Sequence, residues 1–263
     1  MKSFEFHRPQ SVADAVALLQ GNETAKLLAG GQSLLPVMKL DLAQPGELVS
    51  LAAIRALREI RDEDPLVIGA LATHDEVAAS PVVRRRIPGI ATLAAGIGDA
   101  QVRNRGTIGG SVAHADPSAD YPAAVLALGA TIETDRRKIA ADDYFTGFFT
   151  TALAPDEIIT AVHFPVPQCS AYAKFASPAS KYALVGVFVA KTAAGVRVAV
   201  TGAGLQVFRV PALESALAAD FSPGAVTPGS VAPEDLRSDV EASSEYRAHL
   251  ITVLAKRAVE ACR

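Results

Sequence analysis

Apolar positions recur along the opening part of the chain in two rhythms. Ser3–Phe6 alternates and predicts a short strand. Val12, Ala15, Val16 and Leu19 fall on one helical face behind Ser11, which stands at capping-box spacing from Asp14, and Gly21 ends the run. Lys26–Ala29 predicts a second strand and Glu47–Leu51 a third, with Ser33 placed to cap the turn Leu34-Leu35-Pro36. Strand and helix in alternation are the pattern of a small parallel α/β unit over residues 1–56.

The pattern then changes. Residues 57–72 read as a hairpin turning at Asp62–Pro65, Thr73 and Glu76 form a capping box, and Pro81 opens a further helix. Thr107-Ile108 reads as the end of a short strand running into a glycine pair, Tyr121–Leu128 as a helix, and Thr131–Thr134 and Ile158–Phe164 as strands. Composition shifts at Pro165-Val-Pro-Gln168, a boundary. Beyond it, Tyr172–Phe175, Ala183–Ala190 and Val196–Val200 predict an antiparallel meander with a turn at Gly195. Helices are predicted at Pro211–Ala218 and Ser244–Ala261. The expected division is 1–166, split into 1–56 and 57–166, followed by 167–263.

Composition narrows the function. Half of the 263 residues are apolar, enough for one large or two modest cores, and a net charge of −3 leaves no basic footprint for nucleic acid. Two cysteines, Cys169 and Cys262, cannot supply a zinc or iron–sulfur ligand set. The N-terminus lacks a secretory apolar region and no run approaches the ~18–20 apolar residues of a membrane span. The expectation is a soluble, cytoplasmic protein.

Two stretches carry candidate chemistry. Leu27-Leu-Ala-Gly-Gly-Gln-Ser33 and Thr107-Ile-Gly-Gly-Ser111 each follow an apolar run, contain a glycine pair and include a hydroxyl residue. Glycine lets backbone N–H groups approach phosphate oxygens closely, so two such loops suggest a shared anionic ligand.

Ala29–Leu40 and Arg103–Ser111, extended by Ala115–Pro122, resemble the two FAD loops of the flavin subunit of molybdenum hydroxylases. The resemblance is nearest to the medium subunit of aerobic carbon monoxide dehydrogenase and extends to the FAD domain of xanthine dehydrogenase. Lys181–Gly186 and Val200–Gly204 resemble that family's C-terminal domain, so the likeness covers nearly the whole chain. It implies an α+β architecture: a two-subdomain FAD-binding fold of the vanillyl-alcohol-oxidase type, then a small α+β domain with an antiparallel sheet. It implies FAD as cofactor. It implies two partners, a small subunit with two 2Fe–2S clusters and a large molybdenum-cofactor subunit, in a dimer of heterotrimers. The flavin subunit would pass electrons from the clusters to an outside acceptor. Gln32 stands where close carbon monoxide dehydrogenase relatives often have histidine, so the resemblance speaks to the cofactor more than to the substrate.

By that resemblance Ala29, Gly30, Gly31, Gln32, Ser33 and Leu34 form one cofactor loop and Thr107, Ile108, Gly109, Gly110 and Ser111 the other, with all four glycines presenting N–H donors to the pyrophosphate. Asp120 reads either as an acceptor for a ribose or ribityl hydroxyl or as a helix cap before Tyr121-Pro122. Tyr182 reads as a flavin-ring contact or a half-buried strand tyrosine. Lys174 reads as a contact to the flavin's polar edge or an exposed strand lysine. His74 and His114 have no partner at metal-ligand spacing and read as structural; Arg84-Arg-Arg86 reads as a solvated helix face or a partner contact. No general acid or base is assigned. A free-standing FAD oxidoreductase, or a binding module that kept the fold, are the competing readings.

Overall fold

The computed structural model describes residues 1–262. β1 (Glu5–His7), β2 (Ala25–Leu28) and β3 (Glu47–Ser50) form a parallel sheet in the order β1-β3-β2. Helices α1 (Val12–Gly21) and α2 (Leu34–Lys39) lie in the two connections, as the alternating pattern requires. Ser11 caps α1, its hydroxyl accepting the Asp14 N–H at 3.1 Å. Ala15 and Leu19 pack with Ala25, Val49, Leu51 and Ile54 in a small core. Ser33 does not cap α2: its backbone is already helical (φ −113°, ψ −54°), not the extended geometry from which a side chain reaches back.

β4 (Ile60–Arg61) and β5 (Leu66–Gly69) are the hairpin expected at 57–72. Six helices follow: α3 (His74–Ala79), α4 (Pro81–Arg86), α5 (Pro88–Ala95), α6 (Ala100–Arg105), α7 (Ile108–His114) and α8 (Tyr121–Ala127). Both halves of the Thr73–Glu76 capping box are formed at α3. Next come β6 (Thr131–Thr134), β7 (Lys138–Ala140), α9 (Ala141–Tyr144), the small hairpin of β8 (Phe145–Gly147) and β9 (Thr150–Thr151), and β10 (Ile159–Phe164). The second sheet runs β4-β5-β10-β6-β7 and is antiparallel throughout.

The strand expected at Thr107-Ile108 is instead the start of α7. Thr107 is its N-cap, accepting the Gly110 N–H at 3.1 Å. The β-branched pair suggested a strand. Gly109 removes the side chain that would hold the helix off β5, because a Cβ there would lie 2.5 Å from Ala70 Cβ. Packing overrides propensity here.

β11 (Cys169–Ala176), β12 (Ala183–Thr192), β13 (Gly195–Thr201) and β14 (Phe208–Arg209) form the expected antiparallel meander. α10 (Pro211–Ala219) and α11 (Ser244–Ala261) cover one face, where Leu213, Leu217, Leu250 and Leu254 pack on Val187, Val189 and Val198. From the other face Phe188, Ala190 and Ala199 join the central core with Ile90, Leu93 and Tyr121. The third sheet is therefore welded to the second by apolar burial, at roughly 25 cal/mol per Å² of surface removed from water. Among the described residues no helix is long and apolar enough to cross a membrane.

Candidate functional site

A cavity of ≈ 680 Å³ lies where the three sheets meet. Its size falls within the range of cofactor pockets, about 300–1,000 Å³. The first sheet contributes the loop after β2, the second contributes α7 and the turn before α8, and the third contributes Ser180-Lys181-Tyr182.

The first loop leaves β2 at Leu28 and reverses at Gly31, whose φ of +73° is a left-handed conformation that favours glycine. Among the described residues, the N–H groups of Gly31, Gln32, Ser33 and Leu34 meet no protein acceptor; α2 takes up its first bonds only at the Leu35 and Val37 N–H. A run of unpaired N–H groups on a concave wall suits an anion. Gly30 has a different task. A Cβ there would overlap the Arg105 carbonyl, so this glycine lets the two loops cross.

The second loop has spent its donors. Ile108 N–H donates to Ala72 O (3.1 Å), Gly109 N–H to Ala70 O (2.9 Å), Gly110 N–H to Thr107 Oγ1 (3.1 Å) and Ser111 N–H to Thr107 O (3.0 Å). The expectation that Gly109 and Gly110 present N–H groups to a ligand is corrected: capping and strand contacts absorb them. These two glycines, with Thr107 and Ser111, still line the cavity. Ile108 does not; its side chain is fully buried in the central core.

Asp120 also lines the cavity and is 5 % exposed. It stands at the N-cap position of α8, but its side chain makes no capping bond to the first turn. Tyr172 Oη donates to Asp120 Oδ1 at 2.6 Å, and Lys174 Nζ lies 3.0 Å from the same carboxylate and 3.2 Å from Gly96 O. Lys174 is thus no exposed strand lysine. Its side chain is 9 % exposed and is spent on Asp120 rather than on the cavity. Burial pushes the Asp120 carboxyl upward, while the Lys174 charge and the Tyr172 hydrogen bond pull against it.

Tyr182 sits just before β12, in a tight loop where Lys181 has φ +65°, and its ring borders the cavity while remaining partly exposed. Burial, then the charges of Asp116 and Asp120, raise its phenol above the usual range. His74 and His114 also line the cavity. His74 is buried against Tyr121, ring centroids 5.3 Å apart. Burial, with the Arg103 charge second, lowers it to about 4, so the imidazole is neutral at pH 7. His114 packs against Phe149 with the rings tilted by 54° and their centroids 5.0 Å apart.

The cavity therefore brings together Ala29–Leu34, Thr107, Gly109–Ser111, Asp120 and Tyr182, and leaves Ile108 and Lys174 behind its walls. Sequence reasoning passed over Tyr172, Asp116 and the cavity-facing position of His74. Asp116 and His74 each carried a signal: one lies inside the Ala115–Pro122 stretch, the other opens a helix directly after a formed cap. Tyr172 carried none, since nothing local ties it to a residue 52 positions away.

Known proteins share this layout. The chain is 37 % identical over 274 residues to the nicotine 6-hydroxylase medium subunit of Paenarthrobacter nicotinovorans, covering 98 % of this chain and 97 % of that one. It is 37 % identical over 280 residues to the carbon monoxide dehydrogenase medium chain of Hydrogenophaga pseudoflava, covering 98 % and 96 %. The solved carbon monoxide dehydrogenase from that organism superposes with a TM-score of 0.91 at 36 % identity, over 99 % of this chain and 97 % of the other. Residues 2–167, which include both glycine loops and Asp120, match the family described as the FAD binding domain in molybdopterin dehydrogenase. The chain belongs to that family, as an FAD-binding oxidoreductase subunit of the carbon monoxide and xanthine dehydrogenase group.

Proposed function

We propose that this chain is the FAD-carrying electron-transfer subunit of a molybdenum hydroxylase. It would serve between an iron–sulfur small subunit and an outside acceptor, with a molybdenum-cofactor large subunit oxidising the substrate, in a dimer of heterotrimers. The observation that carries the reading is the run of unpaired N–H groups at Gly31–Leu34 on the wall of a cofactor-sized cavity. Those donors suit a pyrophosphate, each charge-assisted bond contributing about 1.5–3 kcal/mol. Among the described residues, the acidic ones lining the cavity, Asp116 and Asp120, belong to the turn before α8 and not to this loop, so no carboxylate of that loop repels the anion. Ala29, Gln32, Ser33, Thr107, Gly109, Gly110 and Ser111 shape the two loops around it. Asp120 accepts from a sugar or ribityl hydroxyl, and Tyr182 lies against the flavin ring. In this reading 1–166 is the two-lobed FAD-binding part, of vanillyl-alcohol-oxidase type, and 167–263 the C-terminal domain. The family match ending at 167 and the third sheet beginning at Cys169 support that division.

When bound, FAD supplies a carrier that takes electrons singly and releases them in pairs. The protein's part is to hold the anion, fix the ring and keep the surrounding wall dry. Relatives named for nicotine and for carbon monoxide stand at the same identity, so the substrate belongs to the large subunit and is not written in this chain.

The test is direct. Purified protein should be yellow, with about one FAD per chain that acid precipitation releases into the supernatant. The isolated chain should reduce no dye with any hydroxylase substrate, while the co-expressed three-subunit complex should. Folded protein that cannot be loaded with FAD, or substrate-dependent dye reduction by the chain alone, overturns the reading.

A further inference from the structure

Asp120 is the one acidic residue of the cavity wall that is almost wholly buried, and both of its protein partners come from the third sheet. The socket around them is constructed. Lys174 pairs in register with Gly186 on β12, and a Cβ at Gly186 would overlap the Tyr172 hydroxyl. Phe188 lies beneath the Tyr172 ring at 6.2 Å, and Gly96 O takes a second Lys174 proton. The receiving turn is fixed from the same sheet: Thr201 Oγ1 donates toward Pro117 O (2.7 Å) and Ala119 O (2.6 Å), and Gly202 N–H to Pro117 O (2.7 Å).

We infer that Tyr172 and Lys174 are positioning residues of the cofactor site, acting through Asp120: from the third sheet they keep its carboxylate ionised and turned toward the cavity. This rests on the FAD assignment above. It extends it by giving two residues of β11, a strand beyond the matched residues 2–167 that does not itself line the cavity, a part in holding the site.

The chemistry sets a sign. Bound FAD would offer hydroxyl donors to this wall, and a carboxylate accepts them more strongly than a neutral carboxyl does. Affinity therefore rises with pH as Asp120 ionises. Burial raises that ionisation and remains the larger effect, so the carboxyl stays above its usual range; the Lys174 charge and the Tyr172 hydrogen bond pull it part of the way back. The other ionisable groups lining the cavity are Lys26, His74, His114, Asp116, Lys181 and Tyr182, and Tyr121 is buried behind them on α8; burial holds His74 neutral above about 4. Tyr121 and Tyr182 stay neutral through the tested range because burial and the nearby acids raise both phenols.

The experiment titrates FAD into full-length apoprotein from pH 5 to 9, following flavin fluorescence, with circular dichroism confirming the fold. Lys174→Met should move the midpoint of the affinity–pH profile upward by about one to three units, the usual effect of an adjacent opposite charge. Tyr172→Phe, which deletes one oxygen and leaves the packing intact, should move it the same way by less than about one unit. Lys174→Arg should stay near wild type. Profiles that are lowered by one common factor at every pH would mean a merely structural role and overturn the inference, as would an Arg variant that shifts as far as Met. Should Lys174→Met fail to fold, Tyr172→Phe decides alone. Wild-type protein that binds no FAD at any pH overturns the cofactor assignment, and this inference falls with it.

Discussion

Gly31 and Gly229 share a backbone conformation and nothing else. Their φ values are +73° and +83°, so a Cβ strains both, by about 1–2 kcal/mol. Gly229 faces open space. Gly31 begins the run of unpaired N–H groups, and its added Cβ would press on Leu35 at 2.8 Å. Alanine at either position should therefore lower thermal stability to a similar, small extent. Only Gly31→Ala should weaken FAD binding, by about tenfold or more if one charge-assisted bond is lost. Equal FAD affinity in the two folded variants would remove the first loop from the anion site. The comparison separates strain from recognition, which a single glycine variant cannot do.

At the scale of elements the two glycine loops, alike in sequence, divide the work. The first holds free donors; the second is a helix whose glycine packs it onto β5 and whose own N–H groups are spent. Gly109→Ala would put a methyl 2.5 Å from Ala70 Cβ and 2.7 Å from Ala70 O, so α7 must move. Calorimetry of the apoprotein should show a loss of about 1–3 kcal/mol, the range of core overpacking, with weaker FAD binding alongside it. An apoprotein of unchanged stability would mean that α7 shifts freely on β5. This division explains what was legible. The glycine pairs, both caps on α1 and α3, and the β12–β13 hairpin follow from local spacing, and all but the fate of the donors could be read there. The helical state of Ile108–His114 depends on a gap beside Ala70, and the roles of Tyr172 and Lys174 depend on a turn more than 50 residues upstream. Neither leaves a periodic trace in sequence.

Across the whole molecule α11 is tied to the cavity walls through one buried arginine. Arg247 on α11 is 0 % exposed; its Nη1 donates to Leu184 O (2.6 Å) and Gly202 O (2.9 Å), and its Nη2 meets both Asp239 carboxylate oxygens at 2.8 and 2.7 Å. Leu184 lies two residues from Tyr182, and Gly202 donates to the turn that carries Asp120, so the guanidinium ties α11 to two cavity walls. Arg247→Met keeps much of the volume but strands two carbonyls and takes from Asp239 its bidentate partner, leaving it the Glu241 and Ala242 N–H groups and Arg237 at 3.6 Å. Breaking a fully buried pair costs about 3–5 kcal/mol, and Asp239 is partly solvated, so about 2–4 kcal/mol is expected at pH 7. Burial pushes the Asp239 carboxyl up, but the Glu241 and Ala242 N–H groups and Arg247 outweigh it and leave it lowered. A lowered carboxyl stabilises the fold above its unfolded value of about 3.9, and that stability is lost as pH falls through the folded one. The gap between wild type and Arg247→Met in urea unfolding should therefore be widest near neutrality and narrow toward pH 3. Because the same variant loosens Tyr182 and the Asp120 turn, folded Arg247→Met should also hold FAD less tightly, although the substitution touches no cavity surface. A gap that stays constant with pH would detach Asp239 from the effect. Wild-type FAD affinity in the folded variant would show that α11 stabilises the third sheet without reaching the site.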